Sequence, residues 1–154
     1  MHPTNQRVLD AVTAAGIEPR MIWLDEHART AALAAAQIGC EVAAIANSLV
    51  FDADGEPLLV MASGAARVDT DLIATTLGVG SVKRADAGFV RAATGMAIGG
   101  VAPTGHPTRL RALVDEDLAA FDEIWAAGGT PDTVMALTYD DLVRLTGGEP
   151  ARVR

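Results

Sequence analysis

The residues best placed to do chemistry lie in 94–106, Thr-Gly-Met-Ala-Ile-Gly-Gly-Val-Ala-Pro-Thr-Gly-His. Gly95, Gly99, Gly100 and Gly105 surround Pro103, and the flanks are apolar rather than polar as in an ordinary surface loop. Glycine opens φ > 0 and removes the Cβ, so another group can approach the main chain closely. Proline fixes its own φ, supplies no N–H and biases Ala102 toward extended geometry. The expected product is a stiff loop whose remaining N–H groups can converge on one oxygen, as in an anion nest or oxyanion hole. A tight apolar turn between two core elements accounts for the same glycines.

Rival chemistries lack support. The histidines are His2, His27 and His106, with no HxxxH or HxH spacing, and Cys40 is the single cysteine. That set does not suit a zinc site, and no internal disulfide can form. No serine sits in a G-x-S-x-G elbow, and there is no Walker A loop or G-x-G-x-x-G after a strand. Cys40 follows Gly39 at a helix end, where the dipole does not favour a thiolate, so it reads as a small buried residue. No metal or cofactor is expected. What remains is a site built mostly from backbone.

The elements that must position it follow from periodicity and caps. Residues 4–15 read as a helix capped by Thr4 or Asn5 and ended by Gly16, and 21–24 as a short strand. Thr30 caps an Ala-rich helix over 31–38, stopped by Gly39. Residues 42–51 and 57–62 are β-rich and joined by Asp-Ala-Asp-Gly-Glu, a hairpin signal. Asp69 or Thr70 caps a helix to Leu77, closed by Gly78. A strand over 81–85 and a helix over 87–93, ended by Gly95, precede the glycine loop. The apolar runs 96–102 and 110–114 suit strands. Residues 118–127 are ambiguous, but Gly-Gly-Thr-Pro-Asp at 128–132 favours a hairpin with 134–137. Thr138 starts a last helix that Gly147 closes, with Asp141 at the capping-box position. Interleaved helices and hairpins exclude an all-parallel sheet.

At 154 residues and 50% apolar content, the chain has single-domain length, and such a domain buries about 68–70% of its extended-chain surface. Disorder is expected only in the first few residues and after Glu149. The N-terminus has no signal pattern and no apolar run approaches the roughly 20 residues of a membrane span, so a cytoplasmic protein is expected. A net charge of −8 argues against gripping nucleic acid along its length. Lys83, Arg84, Arg91, Arg109 and Arg111 make either one small basic rim or part of a mixed solvated surface. Asp115 and Asp117 read as a solvated edge, and Trp23 and Trp125 as core aromatics.

Gly99-Gly100-Val101-Ala102-Pro103 resembles the GxxxP loop of the YbaK/ProX family, free-standing relatives of the prolyl-tRNA synthetase editing domain. Glu26-His27 before the Ala-rich helix, 45–51 (Ile-Ala-Asn-Ser-Leu-Val-Phe), Arg67-Val68-Asp69, Leu77-Gly78, Thr94-Gly95 and 141–146 are similar to that family in the same order, over roughly 5–148. The resemblance implies an α/β fold of α+β type, a mixed, partly closed sheet or barrel surrounded by helices. It implies hydrolysis of a small mischarged amino acid from a tRNA acceptor end, with a tRNA synthetase as a further partner. It also implies substrate-assisted chemistry, with a water aimed at the ester carbonyl and the loop clamping the oxyanion. Gly99, Gly100, Val101 and Ala102 are then the N–H donors on offer, while Pro103 offers none.

Two positions depart from the family pattern. Asn47 stands where relatives carry lysine; it can orient a ribose hydroxyl or carbonyl but cannot neutralise a phosphate. Val134 stands near a position that is often polar, which points to a drier pocket. Ser48, His27, Thr104, Gly105 and His106 are the further candidate substrate contacts. A binding module of the same fold that turns nothing over, and a hydrolase of another small acyl ester, are the competing readings.

Overall fold

The computed structural model describes residues 1–25 and 30–154. His27, a candidate contact above, lies outside the described residues, as does Glu26. Helix α1 (Pro3–Ala14) leads into strand β1 (Met21–Trp23) and helix α2 (Ala31–Ile38). Strands β2 (Ile45–Ala53) and β3 (Glu56–Ser63) precede α3 (Thr70–Leu77), β4 (Val82–Arg84) and α4 (Ala87–Thr94). Then come β5 (Arg111–Asp115), β6 (Ile124–Ala127), β7 (Thr133–Leu137), α5 (Tyr139–Thr146) and β8 (Glu149–Ala151).

Local signals explain most of these boundaries. Thr30, Asp69 and Thr138 each accept a hydrogen bond from a first-turn amide of the helix they cap, and Gly39, Gly78 and Gly147 close those helices in the left-handed region. The β2–β3 hairpin turns at Asp54 (φ 51°) and Gly55 (φ 92°), both left-handed as a two-residue type I′ loop requires. Asp54 is held there because its carboxylate accepts from Gly80 N at 2.7 Å and Ser81 N at 2.9 Å. These bonds hold its carboxyl below the usual carboxylate range and pin the chain just before β4 against the hairpin tip.

The mixed sheet runs β1-β7-β6-β2-β3-β5-β8, with β4 also on β2. The expected α/β arrangement of a mixed sheet among helices is present, and the sheet is not closed into a barrel. One face packs the main core, to which α1 contributes Val8 and Val12, α4 Val90, and α5 Leu142 and Leu145. On the other face α3 packs Ile73 near Leu58 and Val60 of β3, and α2 packs Ala34 and Ala35 near Ile45.

Several expectations are corrected. His2 caps α1, its Nδ1 accepting from Thr4 N at 3.1 Å, because Thr4 and Asn5 are buried. Residues 96–102 form no strand: the chain turns at Ile98–Gly99 instead. The tail is ordered, since β8 pairs with Leu113–Asp115 of β5, and Val153 is buried while its carbonyl accepts from Asp69 N at 2.7 Å. Asp115 is buried rather than solvated, accepting from Ser63 N and Asp117 N at 2.9 Å each. Trp23 is 50% exposed on edge strand β1.

Candidate functional site

The site begins with a break in the sheet. One edge of β2 pairs with β3 along nearly its whole length. The other edge is shared: Ile45 and Ala46 pair with β6 in parallel, and Phe51–Ala53 pair antiparallel with β4. Residues 47–50 therefore have no strand partner on that side among the described residues. The glycine loop borders this gap across two clefts. A cleft of about 290 Å³ lies on the β6 side and a smaller one of about 120 Å³ on the β4 side, and Ser48, Leu49, Ile98 and Val101 line both.

Strand alternation turns Asn47 and Ser48 to opposite faces. Asn47, half-buried, shares its face with Ile45, and its amide has no partner among the described residues. Ser48 shares its face with Ala46 and Val50, and its hydroxyl donates to Met61 Sδ at 3.3 Å across the β2–β3 pair. Val134 is buried in the wall of the larger cleft, opposite Ala127 on β6 and Ile22 on β1. Asn47, Ser48, Gly99, Val101 and Val134 thus line one cleft. Its other walls, Ala31 and Ala34 of α2, Trp125 and Pro131, were not anticipated; the Ala-rich run of α2 was their only signal. No charged side chain among the described residues lines this cleft.

The loop itself offers fewer donors than its sequence implies. Gly100 N donates to Ala97 O at 2.9 Å, closing a turn whose third residue, Gly99, sits at φ 89° as a type II turn requires. Ala102 N is directed to Met96 Sδ at 3.3 Å. Gly100 and Ala102 are therefore removed from the donor set, and Gly99 N and Val101 N remain without partners among the described residues. Pro103 is buried and, as expected, donates nothing. Gly100 is required for a different reason: a Cβ there would stand 2.7 Å from Thr130 C and 2.8 Å from Pro131 N. The loop backbone lies directly on the β6–β7 turn. That turn is held in place by buried Asn5, whose Nδ2 lies 2.9 Å from Gly128 O and 3.1 Å from Thr130 Oγ1.

Thr104, Gly105 and His106 do not reach the cleft. They border a separate cavity of about 120 Å³ with Leu59, Arg109 and Thr146. His106 Nε2 donates to Ala102 O at 2.7 Å. Burial pushes the imidazole pKa down, partly opposed by that bond. A lowered folded pKa means that the unfolded chain binds more protons below about pH 6.5. The His106 contribution to stability is therefore complete above that pH and lost as pH falls toward the folded value. Urea titrations at pH 7.5 and 5.5 should show a smaller acid loss in His106→Gln than in the parent; equal losses would contradict this sign. Of the basic residues, Arg84 borders the smaller cleft and Arg109 the separate cavity.

This architecture is that of a mixed α/β domain presenting a cleft at a sheet break. Residues 25–145 match the aminoacyl-tRNA editing domain family, and the chain belongs to that family. It is 31% identical over 110 residues to the uncharacterized protein YwhH of Bacillus subtilis (strain 168), covering 71% of this chain and 69% of that one. A solved structure of a candidate trans-editing enzyme for prolyl-tRNA synthetase superposes with a TM-score of 0.92 at 38% identity, covering 100% of this chain and 98% of the other. A scaffold from work on epitope backbone grafting superposes with a TM-score of 0.94 at 37% identity, covering 100% and 99%. Family membership implies a hydrolase acting on aminoacyl-tRNA. Among the described residues no helix is long and apolar enough to cross a membrane.

Proposed function

We propose that this protein is a trans-acting deacylase that hydrolyses the ester of a small mischarged amino acid on a tRNA acceptor end, in the cytoplasm where synthetases charge tRNA. The observation that carries this reading is that Asn47, Gly99, Val101 and Val134 line one cleft, where no charged side chain of the described residues stands and where Gly99 N and Val101 N have no partner among the described residues. Water adds to the ester carbonyl carbon, and the carbonyl oxygen takes up negative charge beside the two N–H donors. Collapse expels the ribose oxygen, which takes a proton, and releases the free amino acid. The ribose hydroxyl next to the ester positions or deprotonates the water. Orientation then supplies much of the barrier reduction. The test is hydrolysis of a panel of mischarged tRNAs beside minimal aminoacyl esters of the same residues. Preference for the tRNA forms supports the reading; equal turnover of minimal esters favours a general acyl esterase.

Asn47, uncharged where the family resemblance implies a lysine, and Val134 are what favour a non-catalytic binding module. If Asn47 orients substrate, Asn47→Ala should slow deacylation on the order of tenfold, as for loss of a hydrogen bond of about 1–1.5 kcal/mol. Asn47→Lys should tighten tRNA binding most at low salt, where a restored phosphate contact is least screened. Titrations at two salt concentrations and single-turnover rates read both effects. Parent-like behaviour in both variants would make Asn47 structural.

A further inference from the structure

The glycine loop is held from behind by groups that lie outside the cleft. Ala102 is fully buried, and both its backbone polar groups bond to side chains: N–H to Met96 Sδ at 3.3 Å, carbonyl to His106 Nε2 at 2.7 Å. A thioether is a weak acceptor, so His106 is the strong tether. Pro103, next along, has no N–H with which to bind anything. The other stem is knotted at buried Thr94, whose hydroxyl donates to Val90 O at 2.7 Å and accepts from Met96 N at 3.0 Å. Between these anchors lie Gly99 and Val101, which line the cleft and whose N–H groups have no partner among the described residues.

From this geometry we propose that His106 is a positioning residue. Its Nε2–H fixes the Ala102–Pro103 peptide from the far side of the loop, and so holds the Val101 and Gly99 amides in place at the cleft without meeting substrate. Histidine suits the task. His106 borders the small cavity with Leu59, Leu110 and Leu145, and its ring reaches the carbonyl four residues earlier with only two side-chain torsions to fix. Because a carbonyl can only accept, the bonded nitrogen must carry the proton, which defines the neutral Nε2–H tautomer. Removing the donor leaves a buried carbonyl unpartnered. The peptide can then rotate toward another donor, carrying Val101 with it.

The kinetic consequence rests on the deacylase reading; the structural consequence does not. The experiment compares the parent, His106→Leu and His106→Gln, the last keeping a donor of similar reach. In His106→Leu, kcat on mischarged tRNA should fall on the order of tenfold with KM within about twofold, because the loop acts on the reacting carbonyl rather than on tRNA affinity. His106→Gln should recover most of that loss. Independently, imidazole 15N shifts of the parent should report protonated Nε2. In His106→Leu the Gly99 and Val101 amide resonances should move and hydrogen exchange of the bonded Gly100 and Ala102 amides should accelerate, while those of β3 and β5 stay fixed. A folded His106→Leu with parent-like loop amides and kcat overturns the proposal, and so does an Nδ1–H tautomer in the parent, which needs no variant to fold. If the parent hydrolyses no aminoacyl ester, the deacylase reading fails, and the tautomer and loop amides still decide the role of His106.

Discussion

Gly100→Ala is expected to lose both stability and activity, the first by about 1–3 kcal/mol, as for overpacking a filled site. The added methyl would meet Thr130 C at 2.7 Å and Pro131 N at 2.8 Å, and backbone cannot swing aside as a flexible side chain can. Either the loop or the β6–β7 turn must move, and both border the cleft through Gly99 and Pro131. A displacement of about 1 Å at a reacting centre costs on the order of 100-fold in rate. Gly99→Ala makes an informative partner. A Cβ there meets open space, so its penalty is the left-handed φ alone, about 1–2 kcal/mol. Urea titration and single-turnover deacylation separate the two: Gly100→Ala should be the slower enzyme at matched stability. Parent-like turnover and stability in Gly100→Ala would show that the contact with the 128–131 turn has no bearing on the cleft.

The contrast between those glycines marks what a sequence discloses. Features set within a few residues were legible: the Thr30, Asp69 and Thr138 caps, their closing glycines, and the hairpin at Asp54–Gly55. The 96–102 segment was misread because an apolar run suits a strand. Gly99 breaks it with a turn, and Met96 takes the N–H of Ala102 that a ladder would have used. Asn5 looked like a cap because its type favours that position, yet it is buried under the β6–β7 turn, a contact more than a hundred residues away in sequence. The break in β2 is also non-local, since nothing in residues 47–50 announces that β6 and β4 leave them unpaired. Motif order brought Asn47, Gly99, Val101 and Val134 to one cleft. The same adjacency misled for Thr104 and His106, because after buried Pro103 the chain passes behind the loop.

The cleft's selectivity should be set by charge before size. Val134 is 7% exposed, its strand neighbours Ala127 and Ile22 are apolar, and no charged side chain among the described residues lines the wall. Burying an unpaired charge costs several kcal/mol, and each 1.4 kcal/mol is tenfold in a rate ratio. Asp, Glu, Lys and Arg esters should therefore be hydrolysed at least about 100-fold more slowly than Ala, Cys, Ser or Pro esters. Within the small set the grading should be shallow, since one methylene changes transition-state binding by about 1–3 kcal/mol. Val134→Asp should lower turnover of the Ala and Pro esters relative to the Ser ester, whose hydroxyl can bond the new carboxylate. It also introduces a buried acid without a partner, so the nearly isosteric Val134→Thr serves as the control that adds a hydroxyl without charge. Thr should move the Ser-to-Ala ratio in the same direction by a smaller factor. A panel in which charged aminoacyl esters are the best substrates would remove Val134 from the acyl pocket, because an apolar wall has nothing with which to repay their lost hydration.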